Sequence, residues 1–195
     1  MWKELSNIKL LERYIAPMLI VFNSPKEYHY LTVHYKKDMF DFIDKEWNYN
    51  LVLAYLLQIA NALLTMNNLG YLHLDVKPEN ILIEGKKALL CDFATVTRLQ
   101  KGKTRKYIGL KLGTKEYASP EMLTQATVSN VSDVFSFTKT IHVCLFGKLP
   151  PSVEHLDVDK YDKWYDFFYS GLRLFPRERC SMSYLYKNLY YLSKK

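Results

Sequence analysis

The sequence YLHLDVKPENILI, residues 71–83, is the stretch from which the rest of the chain can be interpreted. Within six positions it holds a carboxylate, an ammonium group and a carboxamide, at Asp75, Lys77 and Asn80. Two short motifs follow in order, DFA at residues 92–94 and SPE at residues 119–121. A lone Asp-x-Lys-x-x-Asn pattern would also suit a solvated turn, but three motifs in this order favour a functional site.

The pattern His-x-Asp-x-Lys-x-x-Asn, which begins at His73, resembles the catalytic loop of eukaryotic-type protein kinases. The two later motifs are similar to the metal-binding motif and the end of the activation segment in that family. The resemblance implies a mainly α (α+β) fold, the protein-kinase-like large lobe with a vestigial N-terminal helix and β-hairpin. It also implies a single domain over residues 1–195, with 1–35 as the remnant of the small lobe and hinge and 36–195 as the large lobe.

The resemblance assigns a chemical role to each polar residue of these motifs. Phosphoryl transfer depends mostly on holding metal-bound ATP in line with a hydroxyl and on neutralising the charge that spreads over the phosphoryl oxygens. Asp75 is expected to accept the hydroxyl proton and Lys77 to contact the γ-phosphate, while Asn80 and Asp92 hold Mg²⁺. Thr114 matches the threonine that hydrogen-bonds the catalytic aspartate and lysine in serine/threonine kinases, which favours Ser or Thr as the acceptor.

The same resemblance indicates where the nucleotide base would lie. The second N-terminal strand is similar to the kinase strand that leads into the hinge, so backbone groups of Val33, His34 and Tyr35 are expected to meet adenine. Leu82 and Lys77 are expected to complete the contacts with the nucleotide. ATP and Mg²⁺ are therefore the cofactors that the resemblance implies.

The N-terminal part of the chain departs most from the family pattern. Residues 1–14 are predicted to form a short helix, and residues 18–22 and 28–35 are predicted to form a β-hairpin. By this alignment Glu4 falls where kinases have the glutamate of their small-lobe helix. The first glycine is Gly70, so neither a Gly-rich loop over the phosphates nor the lysine strand is expected in this chain. Weak turnover is the expected consequence.

This truncation predicts a partner. Residues 18–22 are apolar at successive positions, which suits a strand covered on both faces, whereas a lone two-stranded hairpin is marginal in water. We expect a second copy of the chain, or another kinase, to pair with the exposed edge of the hairpin or to pack on its apolar face. An alternative is that the sequence is a fragment of a longer chain.

The remaining segments predict the elements of a large lobe. Strands are expected at residues 81–84 and 88–91, as a hairpin that returns Asp92 to the side of Asn80. Helices are expected at residues 36–43, from 49 or 50 to 67, from 132 to 146 before Gly147, and around Leu185, Leu189 and Leu192. The resemblance adds that Asp133 anchors the catalytic loop and that Glu121 and Arg179 form a buried ion pair.

Composition favours one globular domain, because 195 residues with 49% hydrophobic and 15% aromatic content can bury a sizeable core. Three cysteines without Cys-x-x-Cys or His spacing indicate a reducing compartment and no zinc site. The longest apolar run, residues 51–66, contains Gln58 and Asn61 and is shorter than a typical membrane span. We expect an intracellular protein, cytoplasmic or nuclear, with no membrane association.

The formal net charge of +7 is concentrated in one segment. Residues 93–115 contain no acidic residue and seven basic ones: Arg98, Lys101, Lys103, Arg105, Lys106, Lys111 and Lys115. In a kinase-like fold this is the activation segment, which borders the substrate groove. Its charge could attract an acidic substrate, a nucleic acid or an acidic partner, or the segment could be a solvated loop without a ligand.

Position 74 differs from the family pattern in a way that affects regulation. Leu74 replaces the arginine that contacts activation-segment phosphate in many kinases. Phosphorylation of that segment is therefore not expected to be needed to order it.

Two functions from different classes follow. The first is a serine/threonine protein kinase, a transferase that moves the γ-phosphate of ATP to a protein Ser or Thr hydroxyl with Mg²⁺, and it rests on the retained large-lobe residues. The alternative is a truncated pseudokinase, a decoy or inhibitor that binds a full-length kinase or its substrate, and it rests on the missing small-lobe parts. A protein substrate or a protein partner is expected, and a nucleic acid is not.

Overall fold

The computed structural model describes residues 9, 11–23, 28–100, 103–106 and 113–194. Its helices are α1 (Met39–Lys45), α2 (Tyr49–Asn68), α3 (Pro120–Gln125), α4 (Ser132–Phe146), α5 (Val158–Tyr161), α6 (Tyr165–Gly171) and α7 (Met182–Leu192). Short 3₁₀ helices lie at Pro78–Asn80, Val153–His155, Asp162–Trp164 and Pro176–Glu178. The strands are β1 (Met18–Asn23), β2 (Tyr28–Thr32), β3 (Lys37–Asp38), β4 (Tyr71–Leu72), β5 (Ile81–Glu84), β6 (Lys87–Leu90), β7 (Thr97–Arg98), β8 (Thr104–Lys106) and β9 (Thr127–Ser129).

Helices α2 and α4 form the centre of the core, and α7 packs against both. The side chain of Asn48 accepts a hydrogen bond from the Leu51 N–H and begins α2, as expected for an N-cap. Helix α4 ends at Gly147, which has a φ of 70° and takes the left-handed conformation that glycine adopts without strain. The predicted α2 and α4 are therefore present with nearly the predicted bounds, and the terminal helix contains the three leucines expected in it.

By length and composition alone, α2 is long and apolar enough to cross a membrane. The apolar run at residues 51–66, judged too short for a membrane span, is shorter than the helix that contains it, which has 20 residues. Half of the most apolar stretch of α2 is buried within the fold, as in the core helix of a globular domain.

The first helix after the hinge begins three residues later than predicted. Lys37 and Asp38 are in β3, where they pair with Ile83 and Leu82 of β5. The Asp38 side chain then accepts a hydrogen bond from the Asp41 N–H at 2.8 Å and caps α1. The predicted helix over residues 36–43 was therefore wrong at its start, because its second and third residues pair with a distant strand instead.

The strands form small sheets instead of one large one. Strand β5 lies between β3 and β6, and all three are antiparallel to their neighbours. Strands β1 and β2 form the predicted hairpin, although β2 ends at Thr32 instead of residue 35. The connecting turn at residues 24–27 and most of the predicted N-terminal helix, including Glu4, lie outside the described residues.

The chain just before the hairpin is attached to the large lobe. Residues 11–14 form a turn, and the backbones of Tyr14 and Ala16 hydrogen-bond Leu90 of β6 at 2.8 Å each. Leu11 and Ile15 are buried in the main core. This segment therefore joins the N-terminal hairpin to the sheet that precedes Asp92.

A cluster of aromatic side chains packs around the C-terminal end of α4. The ring of His142 lies 4.9–5.4 Å from the rings of Phe146, Tyr161 and Phe168. Its Nδ1 lies 2.6 Å from the Lys148 carbonyl oxygen and its Nε2 lies 2.9 Å from the Tyr161 hydroxyl. One nitrogen can donate to the carbonyl while the other accepts from the hydroxyl, so the neutral imidazole is fully hydrogen-bonded.

Candidate active site

The loop at residues 73–76 is held from below by α4. The buried Asp133 carboxylate, in the first turn of α4, accepts the backbone N–H groups of His73 at 2.7 Å and Leu74 at 2.8 Å. The Thr140 hydroxyl, on the same helix, donates to the Val76 carbonyl at 3.1 Å. Burial raises the pKa of the Asp133 carboxyl, although the nearby His73 and the two N–H donors oppose that shift. The predicted anchor is therefore present.

Two non-glycine residues of the site have left-handed backbones. Leu74 has a φ of 69° and Asp92 has a φ of 57°. Such values are uncommon for non-glycine residues and persist where surrounding contacts over-determine the conformation. At Leu74 the bond to Asp133 and complete burial of the side chain supply those contacts.

His73 connects the catalytic loop to the DFA motif. Its Nδ1 accepts the Asp75 N–H at 3.3 Å, which assigns the ring proton to Nε2, and Nε2 then donates to the Cys91 carbonyl at 2.9 Å. The imidazole also packs edge-on against Phe93, with the ring centroids 5.2 Å apart. His73 and Phe93 are therefore core residues that fix the position of the site.

Three of the predicted catalytic residues meet at the Asp75 carboxylate. One oxygen, Oδ1, accepts the Thr114 backbone N–H at 2.7 Å, and Oδ2 lies 3.7 Å from the Lys77 ammonium nitrogen. Lys77 also donates to the Thr114 hydroxyl at 2.8 Å. The side chains of Asp75 and Lys77 are 11% and 21% exposed, so both can still reach a bound molecule.

Asn80 lies against the same carboxylate. Its amide nitrogen donates to the Asp75 carbonyl at 2.7 Å and to Asp75 Oδ2 at 3.1 Å. Both hydrogen bonds use the amide nitrogen of Asn80. They orient the side chain and leave its oxygen, Asn80 Oδ1, able to accept another contact. This oxygen is the atom that a metal ion would need.

The hairpin of β5 and β6 places Asp92 next to Asn80, as predicted. The backbone N–H of Cys91 donates to the Asn80 carbonyl at 3.0 Å, and the half-buried Asp92 follows directly. A carboxylate and an amide oxygen are hard donors of the kind that Mg²⁺ prefers, and Mg²⁺ usually takes its other ligands from water and phosphate. Across the described residues no group of three His, Cys, Asp or Glu side chains could hold a metal by itself. The donor set therefore fits Mg²⁺ that arrives with a phosphate ligand.

The predicted adenine contacts are only partly brought together. Val33 and His34 are exposed and Tyr35 is half-buried, in the link between β2 and β3. Leu82 is half-buried on the face of β5 opposite to the buried Ile81 and Ile83. His34 and Tyr35 line a cavity of about 530 Å³ whose lining includes neither Leu82 nor any of the predicted catalytic or metal residues.

Gly113 is a site residue whose role the sequence did not reveal. It has a φ of 69°, and a Cβ added to it would lie 2.3 Å from the Leu74 carbonyl oxygen. Only a residue without a side chain allows the chain to approach the catalytic loop closely enough for Thr114 to reach Asp75. The position of Gly113 directly before Thr114 was the feature of the sequence from which this close approach could have been predicted.

The activation segment is packed on the large lobe by apolar contacts. Leu74 belongs to a second buried cluster that also contains Leu72, Leu99, Ala118, Met122 and Val128. In addition, β8 pairs with β9 in antiparallel register, with Arg105 opposite Val128. The residue that replaces the phosphate-binding arginine therefore holds the segment through burial instead of charge.

Glu121 and Arg179 form the predicted buried ion pair. Arg179 donates from Nη1 and Nη2 to the two carboxylate oxygens at 2.9 and 3.0 Å. Burial of Glu121 opposes its ionisation, but the hydrogen bonds and charge of Arg179 hold the pKa of this carboxyl below its usual value. Arg179 also donates to the carbonyls of Val131, Arg173 and Leu174, so the guanidinium ties the SPE motif to the last third of the chain.

Acidification is expected to destabilise the fold as the pH falls from about 7.5 to about 5.5, the range in which an unperturbed histidine titrates. Burial lowers the pKa of both His73 and His142, so the unfolded chain binds more protons than the folded one below the unfolded histidine pKa. Each unit of depression removes about 1.4 kcal/mol of unfolding free energy once the pH is below both values. Urea unfolding at a series of pH values measures this slope, and a free energy independent of pH in that range would contradict it.

Comparison with known proteins agrees with this geometry. The family model for the protein kinase domain matches residues 1–187. The chain is 38% identical over 104 residues to the serine/threonine-protein kinase pkn2 of Myxococcus xanthus, covering 50% of this chain and 12% of that protein. It is 33% identical over 130 residues to the 3-phosphoinositide-dependent protein kinase 1 of Rattus norvegicus, covering 64% of this chain and 22% of that protein.

A third relative is the serine/threonine-protein kinase ppk21 of Schizosaccharomyces pombe, 32% identical over 111 residues, with 52% of this chain and 19% of that protein covered. The chain therefore spans less than a quarter of the length of each of these three curated relatives. The match to the domain model nevertheless extends over nearly the whole sequence, and the observed large lobe agrees with it. Two of these relatives are named as serine/threonine-protein kinases. The chain belongs to the protein kinase domain family, a family of phosphotransferases.

Proposed function

We propose that this chain transfers the γ-phosphoryl group of ATP to a Ser or Thr hydroxyl of a protein, with Mg²⁺. The observation that carries the proposal is the arrangement around the Asp75 carboxylate, which is held by Thr114 and Asn80 and lies beside Lys77. The proposal includes an intracellular location, in the cytoplasm or the nucleus, because all three cysteines are free thiols.

Each group around Asp75 has a separate task in this reaction. The Thr114 N–H occupies Asp75 Oδ1, which leaves Oδ2, the oxygen beside Lys77, to accept the proton of the incoming hydroxyl. Lys77, held by the Thr114 hydroxyl, places a positive charge where negative charge grows on the transferred group. Asn80 and Asp92 would hold Mg²⁺, which neutralises charge on the phosphates.

The primary test is a transfer assay with radiolabelled ATP on a generic acidic and a generic basic protein, with the Asp92→Asn variant beside the wild type. Transfer that disappears in Asp92→Asn supports the proposal. A thermal melt with Mg²⁺-ATP adds a binding measurement, because a ligand at about 100 times its dissociation constant stabilises the fold by about 2.7 kcal/mol. Absence of both transfer and stabilisation at millimolar nucleotide would refute the proposal.

Treatment with a nonspecific protein phosphatase is expected to leave the transfer rate unchanged within about twofold, because phosphorylation orders activation segments through new arginine–phosphate pairs that this segment does not need. The reason is that the second buried cluster, to which Leu74 belongs, and the pairing of β8 with β9 hold the activation segment without a phosphate. Mass spectrometry on the treated sample checks that phosphate has been removed. A large fall in rate after complete removal would show that the segment depends on phosphorylation.

A second candidate function, a decoy or inhibitor that binds another kinase or its substrate, is favoured by the surface of the N-terminal hairpin. Leu19 and Leu31 are 55% and 49% exposed on β1 and β2, which form a two-stranded sheet. A kinase partner or a second copy of the chain would cover these side chains. Sedimentation of the chain alone, and mixed with an intact kinase domain, tests this function independently of ATP. A monomer in both experiments, with a well-protected hairpin, would remove the support for it.

A further inference from the structure

Five cations are exposed along the described part of the activation segment, and we refer to them as the activation-segment cations: Arg98, Lys103, Arg105, Lys106 and Lys115. Residues 93–115 contain no acidic side chain that could neutralise them locally. Arg98, Lys103, Lys106 and Lys115 form no salt bridge with any residue that the structure describes. The surface therefore carries concentrated positive charge that is available to a ligand.

The fold places one end of this charged segment beside the proposed acceptor site and attaches its other part to β9. Lys115 directly follows Thr114, whose backbone N–H contacts Asp75. At the other end, Arg105 and Lys106 are in β8, which pairs with Val128 and Thr127 of β9, just after α3. The pairing attaches Arg105 and Lys106 to the large lobe, while Lys115 lies next to the residue that contacts Asp75.

The immediate surroundings of the acceptor position are not uniformly basic. Glu79 and Glu116 both raise the pKa of the buried Tyr117 hydroxyl by their charge, after the larger effect of burial, which places them near this residue. Both carboxylates are exposed. The positive surface is therefore displaced from the acceptor along the activation segment, and a complementary ligand would carry its negative charges at a distance from the reacting hydroxyl.

The ligand class that fits this surface better is polypeptide. Binding of single-stranded nucleic acid combines positive charge with exposed aromatic side chains on which bases stack. In the described parts of residues 93–121, the aromatic side chains are Phe93 and Tyr117, and both are buried. The described surface thus supplies charge without stacking platforms.

We propose that the activation-segment cations select protein substrates that carry clustered acidic residues, or phosphorylated ones, on one side of the acceptor Ser or Thr. This inference rests on the proposed kinase function and specifies the substrate class of the same site. Attraction of this kind between exposed charges acts mainly on encounter and on KM, and it weakens as salt increases.

The experiment uses two serine peptides that differ only in their flanking residues, one glutamate-rich and one lysine-rich, with wild type and two double variants. Lys103→Glu/Lys106→Glu reverses charge on the proposed surface, and Lys160→Glu/Lys187→Glu makes the same change at exposed positions on α5 and α7. We expect wild type to prefer the glutamate-rich peptide in kcat/KM by about tenfold or more at about 50 mM salt, and less at about 300 mM. The first variant should lose most of this preference, and the second should keep it.

A binding measurement separates failure of this inference from failure of the proposed function. If no peptide is phosphorylated, the anisotropy of a fluorescent glutamate-rich peptide still reports binding, and salt-sensitive binding that Lys103→Glu/Lys106→Glu removes would support the inference without transfer. Equal use of both peptides, or equal loss in the two variants, would overturn it. Displacement of the peptide by a single-stranded RNA oligonucleotide that binds more tightly would overturn it in favour of a nucleic-acid surface. Thermal melts of both variants confirm that they are folded.

Discussion

Replacement of Asp75 by asparagine is expected to lower the rate constant for phosphoryl transfer by about 10²–10⁴-fold, the usual contribution of a positioned general base. An asparagine oxygen can still accept the Thr114 N–H that now binds Oδ1 at 2.7 Å. Its amide group cannot accept a proton from the incoming hydroxyl, and it would face the Asn80 amide nitrogen, another donor. The chemical step is therefore lost while the contact with the activation segment remains.

Single-turnover kinetics with saturating Mg²⁺-ATP measure this effect separately from nucleotide binding. The matched control is Asp159→Asn, the same chemical change at an exposed carboxylate on α5. The control should keep the wild-type rate, and Asp75→Asn should keep the stabilisation by nucleotide in a thermal melt. A variant that retains more than about a tenth of the wild-type rate would exclude Asp75 as the base.

Replacement of Arg179 by alanine is expected to lower the free energy of unfolding by about 3–5 kcal/mol, the cost of leaving one member of a buried ion pair without its partner. The Arg179 side chain is 0% exposed and that of Glu121 is 4% exposed. The guanidinium also lies over the ring of Phe135, 4.9 Å from its centroid. The substitution therefore leaves a buried carboxylate, several unpaired carbonyls and an uncovered aromatic ring.

The chain supplies its own control for this experiment. Arg173 pairs with Glu178 at 2.7 Å, but the two side chains are 29% and 34% exposed. Arg173→Ala is therefore expected to cost no more than about 1 kcal/mol, as for other partly solvated pairs. Urea unfolding measures both variants. In the Glu121→Ala/Arg179→Ala double variant the loss should be smaller than the sum of the two single losses, and strict additivity would mean that the pair is not coupled.

The parts of the site that could be predicted from sequence are those that lie within one short motif or that the family resemblance implies. The loop from His73 to Asn80 is short, so the order of its polar residues largely determines which of them meet. The family resemblance implied that Asp133 anchors the catalytic loop, and the carboxylate accepts the backbone N–H groups of His73 and Leu74. Glu121 and Arg179 were paired across 58 positions only because the family resemblance indicated it.

The parts that could not be predicted depend on contacts between distant segments. The start of α1 was misplaced because Lys37 and Asp38 pair with β5, a contact that periodicity within residues 36–43 cannot show. The pairing of β8 with β9 is similar, since neither strand has more than three residues. The requirement for glycine at position 113 arises from the Leu74 carbonyl, which lies nearly forty positions earlier in the chain.

The hydrogen bonds from Asp133 to the catalytic loop have a consequence for hydrogen exchange. The amide hydrogens of His73 and Leu74 point into the protein, towards a carboxylate that is itself 3% exposed at the start of α4. They can meet solvent only when this helix separates from the loop, an opening that also disrupts the main core. Their exchange rates therefore report global unfolding, so two amides in the candidate active site measure the stability of the whole domain.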